Sequence, residues 1–210
     1  MRMKKLFFNS IIVVCSVHAC LQGKPSELPR AVVDKVACNA LLRKPEVRAF
    51  LDVLAHGEGT AYHAQAKSAD DQYRITFCGD GAHIKASKLT SFKDHPRERC
   101  CNPVGERIIC ATAAGRYMFL ERTWDWVMKK LLLPDFSPAS QDLAALYLLD
   151  VSGALDELIV RDNVPKAIAK ASRFWAPMPG NGYNQPQTKI KELLRVYTAR
   201  LTFYQSLGGV

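Results

Sequence analysis

Pro45-Glu46-Val47-Arg48-Ala49-Phe50-Leu51-Asp52-Val53-Leu54-Ala55-His56-Gly57-Glu58-Gly59-Thr60 is the stretch on which the reading of the chain turns. Val47, Phe50, Leu51 and Leu54 recur at i, i+3, i+4 and i+7, the period of an amphipathic helix. Pro45 suits the first turn, where an N–H would have no partner anyway, and Gly57 and Gly59 end the helix. Continuing the stripe by four residues lands on Glu58. The spacing therefore brings a carboxylate out of the apolar face at the C-terminal end of the helix.

Outward from this helix the chain reads as α+β, a mostly helical body with a small antiparallel sheet after the first core helix. Tyr73, Ile75 and Phe77 alternate with Arg74 and Thr76 ahead of Cys78-Gly79-Asp80-Gly81, which predicts a strand running into a turn; a second strand is expected near His83–Lys88. Pro96 to Thr112 reads as loop, punctuated by Asn102-Pro103 and Gly105. Tyr117, Leu120, Trp124, Val127 or Met128, and Leu131 mark one long helix. Ser137-Pro138 opens another through Leu143, Leu146 and Leu149. Asp162–Val164 lead into a helix ending near Trp175, and Ile190, Leu193, Leu194, Tyr197, Leu201 and Tyr204 form a last amphipathic stripe. The run Ala176–Pro186 between them is too rich in turn formers to be regular structure. Residues 20–44, with Pro25 and Pro29, read as an N-terminal extension carrying a short helix around Ala31–Leu42.

The 210 residues suit one domain, expected over 45–210, and the 48% hydrophobic and 23% charged composition excludes a disordered, collagenous or coiled-coil chain. Lys and Arg number 29 against 20 Asp and Glu, a net charge of +9 that favours an acidic polymer as partner: nucleic acid, an anionic membrane or a bacterial wall. The basic residues are dispersed and form no nucleic-acid motif, so nucleic acid is not expected. Arg2, Lys4 and Lys5 precede the apolar run Leu6–Val17, which ends at Val17-His18-Ala19. This predicts a secretory signal over 1–19, with a buried N-terminal helix as the competing reading. The run falls short of the about 20 apolar residues of a membrane span. Removing it leaves a chain that is still basic. Val17-His18-Ala19-Cys20 also resembles a bacterial lipobox, which would make Cys20 an outer-membrane lipid anchor. Export to the periplasm or the exterior makes disulfides the default for Cys15, Cys20, Cys38, Cys78, Cys100, Cys101 and Cys110. Spacing leaves their pairing open: Cys100 or Cys101 with Cys110 would staple a short loop, and Cys20 with Cys38 would tie down the N-terminal segment. Without a C-x-x-C pair a zinc site is not expected.

Glu58 is the candidate for chemistry. Burial disfavours an ionised carboxylate and the negative end of a helix dipole disfavours it again, so its pKa should be raised. An acid that stays protonated near neutral pH can donate a proton to a glycosidic oxygen. The competing reading is a helix-end Glu facing solvent past Gly57. His56 reads as structural, since the H-x-E it forms lacks the P-C-x-x-C of a zinc deaminase.

The motifs Arg48–Ala55, Gly57-Glu58-Gly59-Thr60, Asp94-His95-Pro96-Arg97, Ala114-Gly115-Arg116-Tyr117, Asp135-Phe136-Ser137-Pro138 with Ser140-Gln141-Asp142, Gly153-Ala154-Leu155, and Trp175 with Pro179-Gly180 and Gly182-Tyr183 resemble, in order, the bacteriophage lambda endolysin family. The likeness covers about three quarters of the chain, from Pro45 to Leu201. It implies a lysozyme-like fold and a monomeric lytic transglycosylase of peptidoglycan glycan strands that needs no cofactor or metal. It places the single catalytic acid at Glu58 and puts Thr60, Arg116, Tyr117, Tyr183 and Gln185 among the substrate-binding residues, with Cys100–Thr112 and Pro177–Gln187 as the two lips over the glycan. Arg116 and Tyr117 read equally well as support for the groove floor or as helix N-terminal packing; Trp175 reads as core. A hydrolytic lysozyme is the alternative, and it would want a partner carboxylate about 5–9.5 Å away, from among Asp70, Asp71, Asp80 and Asp94. A non-catalytic wall-binding protein on the same fold is the other alternative. Two departures touch the site: Met118 stands where the family has Gln after Arg-Tyr, and His56 where it has an aromatic residue two before the acid.

Overall fold

The computed structural model describes residues 38–62, 68–78, 89–104, 106–183 and 185–208. Helix α1 spans Pro45–Gly57, with Lys44 as its N-cap and proline in the first turn. It is buried on more than a stripe: Val47, Ala49, Phe50, Leu51, Val53, Leu54 and Ala55 all lie in the core, and so does Asp52. Phe50, Leu51 and Leu54 each contribute roughly 1.5–3 kcal/mol by leaving water. This is a central helix, and the other elements pack around it.

The rest are a 3-10 turn (Thr60–Tyr62), α2 (Ala69–Gln72), β1 (Cys100–Val104), β2 (Arg107–Ala111), α3 (Glu121–Leu131), α4 (Pro138–Val151), α5 (Ala154–Ile159), α6 (Val164–Ala171) and α7 (Ile190–Ser206). A helical stretch at 38–43 precedes α1; the rest of the short helix expected around Ala31–Leu42 lies outside the described residues, as do the expected signal and Cys20. Ser137 caps α4 by accepting from the Ser140 N–H, and Asn163 caps α6 by accepting from the Lys166 N–H. Helix α7 runs along α1 as its most extensive partner, with the Phe50 and Tyr197 rings edge to face at 6.5 Å. Trp124, Phe119 and Phe136 form an aromatic cluster, Trp124 standing edge-on to Phe136 at 4.5 Å.

The small antiparallel sheet is present, but it is built from other residues than the spacing predicts. The expected strand at Tyr73–Phe77 begins as a turn at residues 73 and 74. Ser68 and Asp71 form a reciprocal capping box that starts α2, and of the bridge residues Ile75 and Thr76 the latter pairs with Ala114. The expected partner near His83–Lys88 lies outside the described residues. The sheet is a two-stranded hairpin inside the segment read as loop, pairing Cys101 with Cys110 and Asn102 with Ile109. Asn102-Pro103 misleads here because both strands of such a ribbon are edges, where a missing N–H is tolerated. Two disulfides hold it: Cys101–Cys110 joins its strands, and Cys78–Cys100 ties it to the segment after the Thr76 bridge. Cys38 is also disulfide-bonded, and Cys20, one partner that the spacing left open for it, lies outside the described residues.

Two helix bounds also differ. Helix α3 begins at Glu121 rather than Tyr117, because Met118 takes a left-handed conformation (φ 47°) and Ala114 bridges back to Phe119. Helix α6 stops at Ala171, short of Trp175, and α5 was not apparent from periodicity at all.

Candidate active site

Glu58 is the C-cap of α1, with its backbone N–H donating to the Leu54 carbonyl at 3.0 Å. Its side chain is half-buried and has no hydrogen-bond or ion-pair partner among the described residues. Burial alone pushes its carboxyl up to about 8. The mechanism is desolvation: the charged form loses water and finds no cation in exchange. At neutral pH the group is therefore a carboxylic acid with a proton to give.

Three contacts fix the end of the helix that carries it. His56 Nε2 lies 2.7 Å from Glu192 Oε1 on α7. Gly57 packs so closely on the fully buried Met178 that a Cβ there would overlap the Met178 methyl, so the glycine lets the segment after α6 lie against the acid's own turn. Thr60, fully buried, sets its hydroxyl 2.7 Å from the Arg116 carbonyl and 3.1 Å from that of Ala55.

Behind the acid lies a buried polar network that sequence reasoning missed. Asp52, in the middle of α1, accepts from Arg116 Nη2 through one oxygen; the other accepts from Arg200 Nε and, at 2.8 Å, from the Tyr204 hydroxyl. Arg116 also donates to the hydroxyls of Tyr73 (3.2 Å) and Tyr117 (3.0 Å), which in turn donate to Asp142 at 2.9 and 2.6 Å. Gln141 accepts from the Arg116 N–H at 2.9 Å and donates to the carbonyls of Tyr73 and Phe136. Gly115 sits at φ 79°, and any side chain there would collide with Gln141, which explains the glycine of Ala114–Tyr117. The available signal was Asp52 itself, a charge inside an apolar helix that requires a buried cation.

The proposed substrate-binding residues thus separate. Tyr117 and Thr60 are fully buried, and their polar atoms are engaged inside the protein. Neither side chain has surface open to a ligand in this structure. Arg116 is engaged by Asp52 and the two tyrosines. Tyr183 is 50% exposed, with its hydroxyl donating to the Arg173 carbonyl at 2.6 Å, and Gln185 is half-buried. Their segment is organised by Asn181, whose amide donates to the carbonyls of Ala176 and Met178. Trp175 is core, with its indole N–H on the Tyr117 carbonyl.

The carboxylates offered as partners to Glu58 are largely engaged elsewhere. Asp71 closes the α2 capping box, Asp94 accepts from Arg97 and from the His95 N–H, and Asp80 lies outside the described residues. Asp94–Arg97 as a whole is structural. The buried His95 ring lies edge-on to Phe136 and within 2.8 Å of the Phe119 carbonyl, while Arg97 reaches Asp125 on α3.

A central helix ending in a lone desolvated Glu, with a polar scaffold behind it, matches a known family. The endolysin family model aligns with residues 48–203. The chain belongs to the endolysin family. The endolysin of Escherichia phage P2 is 37% identical over 169 residues, covering 78% of this chain and 93% of the relative. The endolysin of Escherichia phage lambda is 38% identical over 148 residues, covering 70% and 85%. Among solved structures, bacteriophage lambda lysozyme complexed with a chitohexasaccharide superposes with a TM-score of 0.63 at 34% identity, over 75% of this chain and 94% of that one. A second structure of lysozyme from bacteriophage lambda gives 0.57 at 31% identity, over 80% and 96%. The fold is lysozyme-like, and the protein is an endolysin-type enzyme that breaks down the bacterial wall.

Proposed function

We propose that this endolysin is a lytic transglycosylase that cleaves the β-1,4 bond between N-acetylmuramic acid and N-acetylglucosamine, with Glu58 as both acid and base. The protonated carboxyl gives its proton to the leaving glycosidic oxygen. The carboxylate so formed takes the proton of the muramic C6 hydroxyl, whose oxygen closes onto C1 to leave a 1,6-anhydro end. No water is consumed, and Glu58 ends protonated, ready for the next bond. The observation that carries this reading is the state of Glu58: a carboxyl raised by burial, with no second carboxylate among the described residues paired with it. A retaining or inverting hydrolase would need that second group.

The glycan strand is the substrate, and Tyr183 and Gln185 stand on the segment that would close over it. The disulfides Cys78–Cys100 and Cys101–Cys110 support action outside the reducing cytoplasm, in keeping with a cleaved signal over 1–19. A monomeric state completes the proposal; a lipid on the Cys20 sulfur is left out of it, because with the signal removed that sulfur is the one available to the disulfide-bonded Cys38. Digestion of purified peptidoglycan by the wild type and by Glu58→Gln, with muropeptide ends identified by mass, tests the chemistry. Anhydro ends that vanish in the variant are expected; reducing ends would make the enzyme a hydrolase, and intact peptidoglycan would overturn both.

A further inference from the structure

An open groove of about 1180 Å³ lies between the end of β2 and the start of α3, lined by Arg99, Thr112, Leu120, Arg122, Trp126 and Lys129 among others. Neither Glu58 nor any residue of the 177–187 segment lines it. Its walls are fixed to each other. Thr112 accepts the Glu121 N–H at 3.0 Å, which caps α3 from the end of β2, and Arg97 grips Asp125 at 2.6 Å from the other side.

Two features of the lining point to a ligand. Trp126 stacks on Phe174 (6.3 Å between centroids, 28° between planes) and meets Tyr147 edge to face at 5.5 Å, yet remains 43% exposed beside the 48% exposed Leu120. A large ring held this firmly loses little freedom when something flat is laid against its open surface. Beside it, Arg99, Arg122 and Lys129 enter no ion pair with the described residues, whereas Asp125, one of the two carboxylates of the lining, is taken by Arg97. The groove thus combines an aromatic platform with unspent cations, and its potential favours carboxylates.

We propose that this groove is a second glycan subsite, taking an N-acetylated sugar ring against Trp126 and the carboxylates of its attached peptide against Arg99, Arg122 and Lys129. It deepens the proposed function and rests on peptidoglycan being the substrate; its role is to keep the enzyme on the polymer between cleavages. The test titrates isotope-labelled Glu58→Gln protein with a soluble disaccharide-tetrapeptide and follows the amide and indole NMR signals. The Trp126 indole and the Arg122 and Lys129 amides should shift together and saturate. Amidating the peptide carboxylates, or the double change Arg122→Ser with Lys129→Ser, should each weaken that response about tenfold, with the variant's melting unchanged because neither side chain holds the fold. Trp126→Ala should abolish it. Shifts confined to the surroundings of Glu58, or a Trp126 response to phosphatidylglycerol vesicles and not to the muropeptide, would overturn the subsite. Absence of shifts near Glu58 with the Trp126 response intact would leave the subsite standing and remove the catalytic reading instead.

Discussion

In the proposed mechanism Glu58 couples catalysis to stability through one proton. Its carboxyl is raised to about 8 against an ordinary 4.5, so between those values the folded protein binds a proton that the unfolded chain has released. Stability is therefore fully present below about pH 4.5 and is lost as pH rises through about 8. After allowance for partial exposure, the loss is on the order of 3 kcal/mol. Glu58→Gln keeps the shape and removes the titration. It should match the wild type in urea midpoint at pH 4.5, exceed it at pH 8.5, and lose roughly 10²–10⁴ in rate. A midpoint difference independent of pH would show that burial does not govern the carboxyl. The wild-type rate on peptidoglycan should in turn fall above about pH 8, because the acid then has no proton to donate. Gly57 carries the adjoining prediction. Gly57→Ala drives a methyl into Met178 and should cost about 1–3 kcal/mol, measured by thermal unfolding, with a loss of activity because the displaced turn is the one holding the acid.

At the scale of elements, α1 delivers Glu58 and Asp52 holds α1. The Asp52 carboxylate receives Arg116 from the loop before α3 and Arg200 and Tyr204 from α7, and Arg116 extends the bonding to Asp142 on α4. Asp52→Ala would leave two guanidinium groups facing a cavity, and a broken buried pair typically costs about 3–5 kcal/mol. Chemical denaturation should show a loss of that size, with Asp52→Asn intermediate because it keeps acceptor and volume without charge. A loss below about 1 kcal/mol would mean that the network decorates the core rather than ties it. The same elements explain what was legible in the sequence. Helices α1, α4 and α7 were readable because their apolar spacing and their proline or serine starts are local signals, and Glu58 was readable because it continues such a spacing. The hairpin was not, since its pairing depends on Cys101 meeting Cys110 and Cys78 meeting Cys100, and the spacing of cysteines leaves connectivity open. For Arg116 and Tyr117 the motif left groove floor and helix packing equally open for a related reason. Whether a polar side chain in a motif faces the substrate or a buried aspartate two helices away is a property of the tertiary fold.

Across the whole molecule, Cys78–Cys100 and Cys101–Cys110 hold the hairpin, whereas the disulfide-bonded Cys38 belongs to the hydrophobic core. None of Cys78, Cys100, Cys101 and Cys110 belongs to the hydrophobic core, which is built from α1, α3 to α7 and the aromatic residues around Trp124. The two crosslinks close segments with sequence separations of 22 and 9 residues. Restricting the unfolded chain over loops of that size contributes about 3 kcal/mol each. For a chain of this length 1 kcal/mol shifts the melting temperature by about 2–4 °C, so loss of these two crosslinks should lower it by about 12–24 °C. The helical circular dichroism at 25 °C should nevertheless persist, because the core remains. The hairpin that borders the Trp126 groove, held by Cys101–Cys110 and by Cys78–Cys100, should lose order first. The measurement is a pair of melts with and without reductant, followed by far-ultraviolet dichroism and by hydrogen exchange at Asn102 to Ala111. Early exchange in the hairpin with protected amides in α1 is the expected result. Simultaneous loss of both would place the crosslinks inside the cooperative core, and the helices would then owe their order to the oxidised hairpin.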